Sequence, residues 1–180
     1  MKDTILVVDD EKSVRVLLRE LLENEAYSVY EAGSLSELTA FLQNMVPDIV
    51  ILDLGLPDGS GIEIIPAIKE KCKNTEVIVI TAMGTVDNAV DSMKLGAYDF
   101  ITKPFDTRKI RRSVERALNY VKVRRENMAL KLQQKNHLYY EEFIGECTQI
   151  QELNKLVHKL AFADVPILIT GETGTGKNIL

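Results

Sequence analysis

Asp9 and Asp10 close a short apolar run near the start of the chain, and Asp53 closes another. Thr81 and Lys103 close two more. Three carboxylates brought together repel one another unless a cation offsets them. Oxygen ligands in a partly open cluster suit Mg2+, which keeps several waters. Such an ion can also bind the oxygens of an incoming phosphoryl group. A carboxylate beside it can act as nucleophile and form an acyl phosphate. The Thr81 hydroxyl and the Lys103 ammonium can each meet a phosphoryl oxygen. An acid at one strand end is ordinarily a turn residue. Five such residues at strand ends, in this order, point to one phosphoryl site.

A second chemistry sits near the end of the sequence. Gly171-Glu172-Thr173-Gly174-Thr175-Gly176-Lys177 follows the apolar stretch Val165 to Thr170. It matches most of the pattern G-x-x-x-x-G-K-[ST], whose backbone N–H groups cradle phosphates. Asn178 stands where a Ser or Thr hydroxyl would meet Mg2+.

The elements that must position these groups are legible in the pattern. Thr4 to Val8, Asp48 to Leu52 and Glu76 to Ile80 are continuous apolar runs, the mark of strands buried on both faces. Tyr27 to Glu31 and Tyr98 to Thr102 read as two further strands. Val14, Leu17, Leu18, Leu21 and Leu22 recur at helical spacing. Ser34-Leu35-Ser36-Glu37 looks like a capping box opening a helix through Asn44. Ile62 to Lys71 reads as helix. Val86, Ala89, Val90 and Met93 mark another, which Gly96 should end. Strand and helix thus alternate five times, which predicts a doubly wound, five-stranded parallel sheet with helices on both faces. In such a sheet, ligands bind beyond the carboxyl ends of the strands, where the winding reverses.

From Thr107 the pattern is helical and long, with no Pro or Gly before residue 144. Leu118, Val121, Met128 and Leu132 form a weak heptad seam, so residues 107–140 are expected to form an extended helix and linker. That helix either pairs with a second copy of itself or packs along its own first domain. Residues 107–135 hold ten Lys and Arg against two Glu, in a chain of net charge −5. A basic stripe can mean nucleic acid; with few aromatics and no turn for a reading head, it reads here as a solvated helix face. The 180-residue chain is 46% hydrophobic and 27% charged, ordinary for a soluble globular protein. No signal peptide or membrane span is visible. Cys72 and Cys147 lack metal-ligand spacing and fit a reducing, cytoplasmic setting without a disulfide. His137 and His158 are lone and are given no role.

Residues 1–120 resemble the receiver domain of two-component response regulators, with its CheY-like fold and flavodoxin-like strand order. The resemblance rests on Val7-Val8-Asp9-Asp10-Glu11, Leu52-Asp53-Leu54-Gly55-Leu56-Pro57-Asp58-Gly59, Ile80-Thr81-Ala82 and Lys103-Pro104-Phe105. It implies Mg2+ ligation by Asp9, Asp10, Asp53 and the backbone carbonyl of Gly55. It also implies phosphorylation of Asp53 by a sensor histidine kinase. Thr81 and the aromatic Phe100 would form the switch, and the Lys103–Pro104 bond would be cis.

Residues 143–180 resemble the opening of the AAA+ ATPase domain of sigma-54-dependent activators, the nitrogen-regulator class. Phe143-Ile144-Gly145-Glu146 and Ile167-Leu168-Ile169-Thr170 carry this, together with the Gly-rich turn. That class commonly has an acid after the Lys, so Asn178 departs from it. The resemblance implies a fragment of a P-loop α/β domain. Walker B, arginine finger and helix-turn-helix are missing. The chain is therefore expected not to act as an enzyme, with ATP a cofactor of the full-length parent only. Sigma-54 RNA polymerase and DNA would be reached only through the missing domains, and a homodimer would form through the linker or the receiver face.

The leading expectation is a switch. Phosphorylation would alter the face around Thr81, Phe100 and the helix from Val86 to Leu95, and the linker helix would pass the change on. A Mg2+-dependent hydrolase of the haloacid dehalogenase type would need Asp-x-Asp after the first strand, whereas here the pair is adjacent. A regulator with a simple DNA-binding output is disfavoured by residues 143–177, which lead into a P-loop.

Overall fold

The computed structural model describes residues 2–82 and 84–141, together with Glu152, Leu156, Leu168 and Thr170. Within 129–141, only the side chains of Leu130 and Lys131 are described. The Gly-rich turn Gly171–Asn178 and the expected ATPase fragment 143–180 lie outside the described residues, those four positions apart. The chain divides into two compact units, Met1–Glu126 and Asn127–Leu180.

Five strands form one parallel sheet: β1 (Thr4–Val8), β2 (Ser28–Ala32), β3 (Ile49–Leu52), β6 (Glu76–Thr81) and β7 (Asp99–Thr102). Their order is β2-β1-β3-β6-β7, the doubly wound order expected. The helices are α1 (Lys12–Glu23), α2 (Leu35–Asn44), α3 (Gly61–Lys71), α4 (Val86–Lys94) and α5 (Thr107–Glu141). One element has no counterpart in the apolar pattern. A small hairpin, β4 (Gly55–Leu56) with β5 (Gly59–Ser60), follows β3. Two-residue strands carry too few side chains for periodicity to reveal them.

The sheet separates two apolar layers. Ile5, Val7, Ile49, Ile51, Ile78 and Ile80 face α1 and α5, meeting Leu18, Leu22, Ile110, Val114 and Leu118. The alternate residues Leu6, Val8, Val50, Leu52, Val77 and Val79 face α2 and α3, meeting Leu38, Ile65 and Ile68. Strand side chains alternate with a period of two, so a central strand covered on both faces must be apolar throughout. β3 and β6 are buried at every residue, whereas the edge strands β2 and β7 are not.

Helix ends follow local chemistry. The Ser34 hydroxyl accepts the Glu37 N–H at 3.2 Å. Glu37 in return accepts the N–H of Gly33 at 2.7 Å, one residue before the cap itself. The expected capping box therefore forms in a shifted version. Gly96 follows α4 with φ +101°, a left-handed turn that suits glycine.

α5 corrects two expectations. Leu118 and Val121 are 3% and 2% exposed, so half of the expected pairing seam is receiver core. Met128 remains 46% exposed, while the Leu132 side chain lies outside the description. The basic stripe is not merely solvated either. Lys122 pairs with Asp3 at 2.9 Å, Arg125 with Asp48 at 2.7 Å and Arg124 with Glu76 at 3.5 Å. These acids lie at the amino-terminal ends of β1, β3 and β6. Asp48 and Glu76 are buried, and a buried charge requires partners. Lys69 supplies Glu76 with a second one, and the Thr4 N–H supplies Asp48.

Replacing Leu118 should therefore open a cavity, whereas replacing Met128 should not. In urea unfolding, Leu118→Ala is expected to cost about 2–5 kcal/mol. Met128→Ala should stay within about 0.5 kcal/mol of wild type. Equal effects would return Leu118 to an exposed seam.

Candidate functional site

The carboxyl ends of β1, β3, β6 and β7 converge at one edge of the sheet. β1 and β3 are neighbours, with Val8 opposite Leu52, so Asp9 and Asp53 emerge side by side. The Asp53 N–H bonds the Val8 carbonyl at 2.8 Å and continues the ladder one step. Asp10 follows in the turn before α1. One carboxylate oxygen each from Asp9, Asp10 and Asp53 lies within 4.8 Å of the others. Asp9 and Asp53 are buried, and Asp10 is exposed.

Lys103 joins the cluster from the far side of the sheet. Its backbone N–H bonds the Thr81 carbonyl at 2.8 Å, which ties the end of β7 to the end of β6. Its ammonium lies 2.6 Å from Asp53 Oδ2, 2.7 Å from Asp9 Oδ2 and 3.5 Å from Glu11 Oε1. The other oxygens of the two buried acids accept backbone N–H groups. Gly55 donates to Asp53 Oδ1 at 3.1 Å, and Glu11 donates to Asp9 Oδ1 at 2.9 Å.

Charge state follows from burial and partners. Burial raises the Asp9 carboxyl above its ordinary value, and the Asp53 charge adds to this. Lys103 and the Glu11 N–H oppose the rise without cancelling it. Burial alone would lower the Lys103 ammonium; its bonds to Asp53 and Asp9 outweigh that and raise it. The three clustered carboxylates and Glu11 thus have one ammonium, that of Lys103, among them. A hard divalent cation with oxygen preference fits this donor set, and Asp9, Asp10 and Asp53 are the side chains that would hold it.

Thr81 ends β6 fully buried. Phe100 lies on β7 opposite Val79, half-buried against the α2–α3 layer. The Lys103–Pro104 peptide is cis, as the resemblance implied. Gly55 is in β4, directly after the acceptor segment.

Two supporting residues were not given roles by the sequence reading. A Cβ on Gly61 would lie 2.2 Å from the Asp53 carbonyl oxygen, so α3 begins pressed against the backbone of the acceptor. The second is Asp58, whose carboxylate accepts the N–H groups of Leu35 and Ser36 at 2.8 and 2.9 Å and the Ser36 hydroxyl at 2.8 Å. The hairpin after Asp53 is thereby fastened to the amino terminus of α2. Glycines at 59 and 61 flanking a serine were the available signal of a close approach.

The chain belongs to the response regulator receiver family. The family model for the response regulator receiver domain matches residues 5–115. That for the sigma-54 interaction domain matches residues 143–180. The chain is 34% identical over 175 residues to the response regulator protein PilR of Pseudomonas aeruginosa, covering 97% of this chain and 37% of that protein. It thus spans little more than a third of the length of such relatives. NtrX from Brucella abortus, solved in complex with ATP, is similar at TM-score 0.68 and 31% identity, over 99% of this chain and 39% of that one. The beryllofluoride-activated NtrC4 receiver domain dimer is similar at TM-score 0.63 and 37% identity, over 66% of this chain and 98% of that one. The CheY-like receiver fold and the partial sigma-54 domain are therefore both assigned. Among the described residues, no helix is long and apolar enough to cross a membrane.

Two substitutions test the scaffold around Asp53. Gly61→Ala should cost roughly 1–3 kcal/mol in urea unfolding, because the atom it meets is backbone and cannot swing away. A neutral result would remove the close approach. Hydrogen bonds from the Leu35 N–H and Ser36 hold the Asp58 carboxyl below its ordinary 3.8. A depressed carboxyl contributes stability above its unfolded value and loses it as pH falls through its folded value. Melting of wild type and Asp58→Asn should thus differ by a constant amount at neutral pH and converge in acid. A gap that persists in acid would contradict this.

Proposed function

We propose that this receiver is a phosphorylation switch in which Asp53 accepts a phosphoryl group from the phosphohistidine of a sensor kinase. The observation that carries it is the Lys103 bridge between Asp53 and Asp9, beside the third carboxylate. An Asp53 oxygen attacks phosphorus, the P–N bond breaks, and the imidazole leaves with a proton. Mg2+ bound by Asp9, Asp10, Asp53 and the Gly55 carbonyl would offset the carboxylates and bind phosphoryl oxygens. Lys103 neutralises one phosphoryl oxygen as a point charge. The Thr81 hydroxyl meets another, and Phe100 follows it.

The output face is α4 with the adjoining β7. Val86, Val90, Met93 and Leu95 are exposed there, an apolar set that a monomer leaves unused. Pairing of two receivers is supported by the dimer that the similar NtrC4 receiver domain forms and by the loss of half the expected linker seam to the core. Downstream, the sigma-54 interaction segment supports control of an ATPase that activates sigma-54-dependent transcription, with ATP bound through residues 171–178 in the full-length parent only. A cytoplasmic location follows from such a role.

With Mg2+ and a small phosphodonor, intact-mass measurement should show one added phosphoryl group, absent in Asp53→Asn. Undiminished labelling of that variant would sink the assignment. Asp10→Asn should still fold but need several-fold more Mg2+ for half-maximal labelling, having lost one charged ligand.

A further inference from the structure

The Asp9 and Asp10 side chains serve the site, while their backbone carbonyls serve something else. Arg15 of α1 directs Nη1 to both, at 2.6 Å from the Asp9 oxygen and 3.0 Å from the Asp10 oxygen. Its Nε lies 3.3 Å from Glu31 Oε2 on β2, and Arg19 holds the other oxygen of Glu31. The Arg15 side chain is only 16% exposed.

One nitrogen of a planar guanidinium bonding two successive carbonyls fixes the orientation of both peptide planes. Those planes decide where the two carboxylates point. Lysine could offer charge but not a rigid fork. Charge alone would in fact be harmful, because a bare cation near the cluster repels a divalent ion. Glu31 offsets part of that penalty, its one charge being shared between Arg15 and Arg19. Outer hydrogen bonds that orient metal ligands typically change affinity by about 10–100-fold when lost.

We infer that Arg15, paired with Glu31, is a positioning residue that sets the Asp9–Asp10 turn for divalent-cation binding. This rests on the receiver reading of the site. The test is calorimetric Mg2+ titration of the full chain, with metal-free melting recorded alongside. Arg15→Met keeps most of the stem and should weaken Mg2+ by about tenfold or more while still melting cooperatively. Arg15→Lys should recover only part of the loss. If Arg15→Met binds Mg2+ as tightly as wild type, or more tightly, the inference is overturned; tighter binding would mean that Arg15 acts only as a repelling charge. Should Arg15→Met fail to fold, Glu31→Gln decides. It removes the carboxylate that Arg15 and Arg19 share and should weaken Mg2+ several-fold, whereas unchanged affinity would overturn the inference. Failure of the underlying reading looks different: wild type itself would then bind no Mg2+ and gain no phosphoryl group.

Discussion

The Lys103 ammonium between Asp53 and Asp9 is the contact on which the site depends. It reaches across the sheet from the end of β7 to the ends of β3 and β1. The intervening β6, buried at every residue, holds β3 and β7 in the register that this reach spans. The bridge leaves the cluster short of positive charge. Three carboxylates meet one ammonium, and the most buried acid, Asp9, is pushed toward its neutral form. Such an arrangement is costly for a core and supports the proposed cation site.

The two edges of the sheet divide the work. At the carboxyl edge, acids converge on one another. At the amino edge, Asp3, Asp48 and Glu76 instead meet cations from α5. The family match for the receiver ends at residue 115, yet the ion pairs extend to Arg125, inside the same compact unit. α5 is thus held twice. Ile110, Val114, Ala117 and Leu118 anchor it by apolar packing, and Lys122, Arg124 and Arg125 anchor it by charge.

Much of this was legible because strong patterns coincide with strong physics. Buried parallel strands are apolar without interruption, so β1, β3 and β6 could be read directly, and the acids at their ends followed. The Ser34–Glu37 cap and the Gly96 stop were visible for the same reason: both are local. What escaped depends on tertiary context. Periodicity on α5 located Leu118 and Val121 on one stripe, but could not say whether a second chain or the receiver itself covers them. Nor could composition show that Arg124 and Arg125 have carboxylate partners, since Asp48 and Glu76 are distant in sequence. Arg15 acts on backbone carbonyls of the acidic turn, which leave no mark in the pattern of side chains, and the glycines at 59 and 61 signal a close approach without naming what is approached.

The central claim is that the Asp9–Asp10–Asp53 cluster, bridged by Lys103, is a charge-deficient cation site built into the folded state. Thermal unfolding of the wild-type chain against Mg2+, with NaCl at matched ionic strength as control, tests it most directly. A ligand that binds only the folded form must raise the midpoint progressively with its concentration. The account predicts such a rise in Mg2+ beyond the NaCl control. Superimposable midpoints in the two salts across the millimolar range would contradict it.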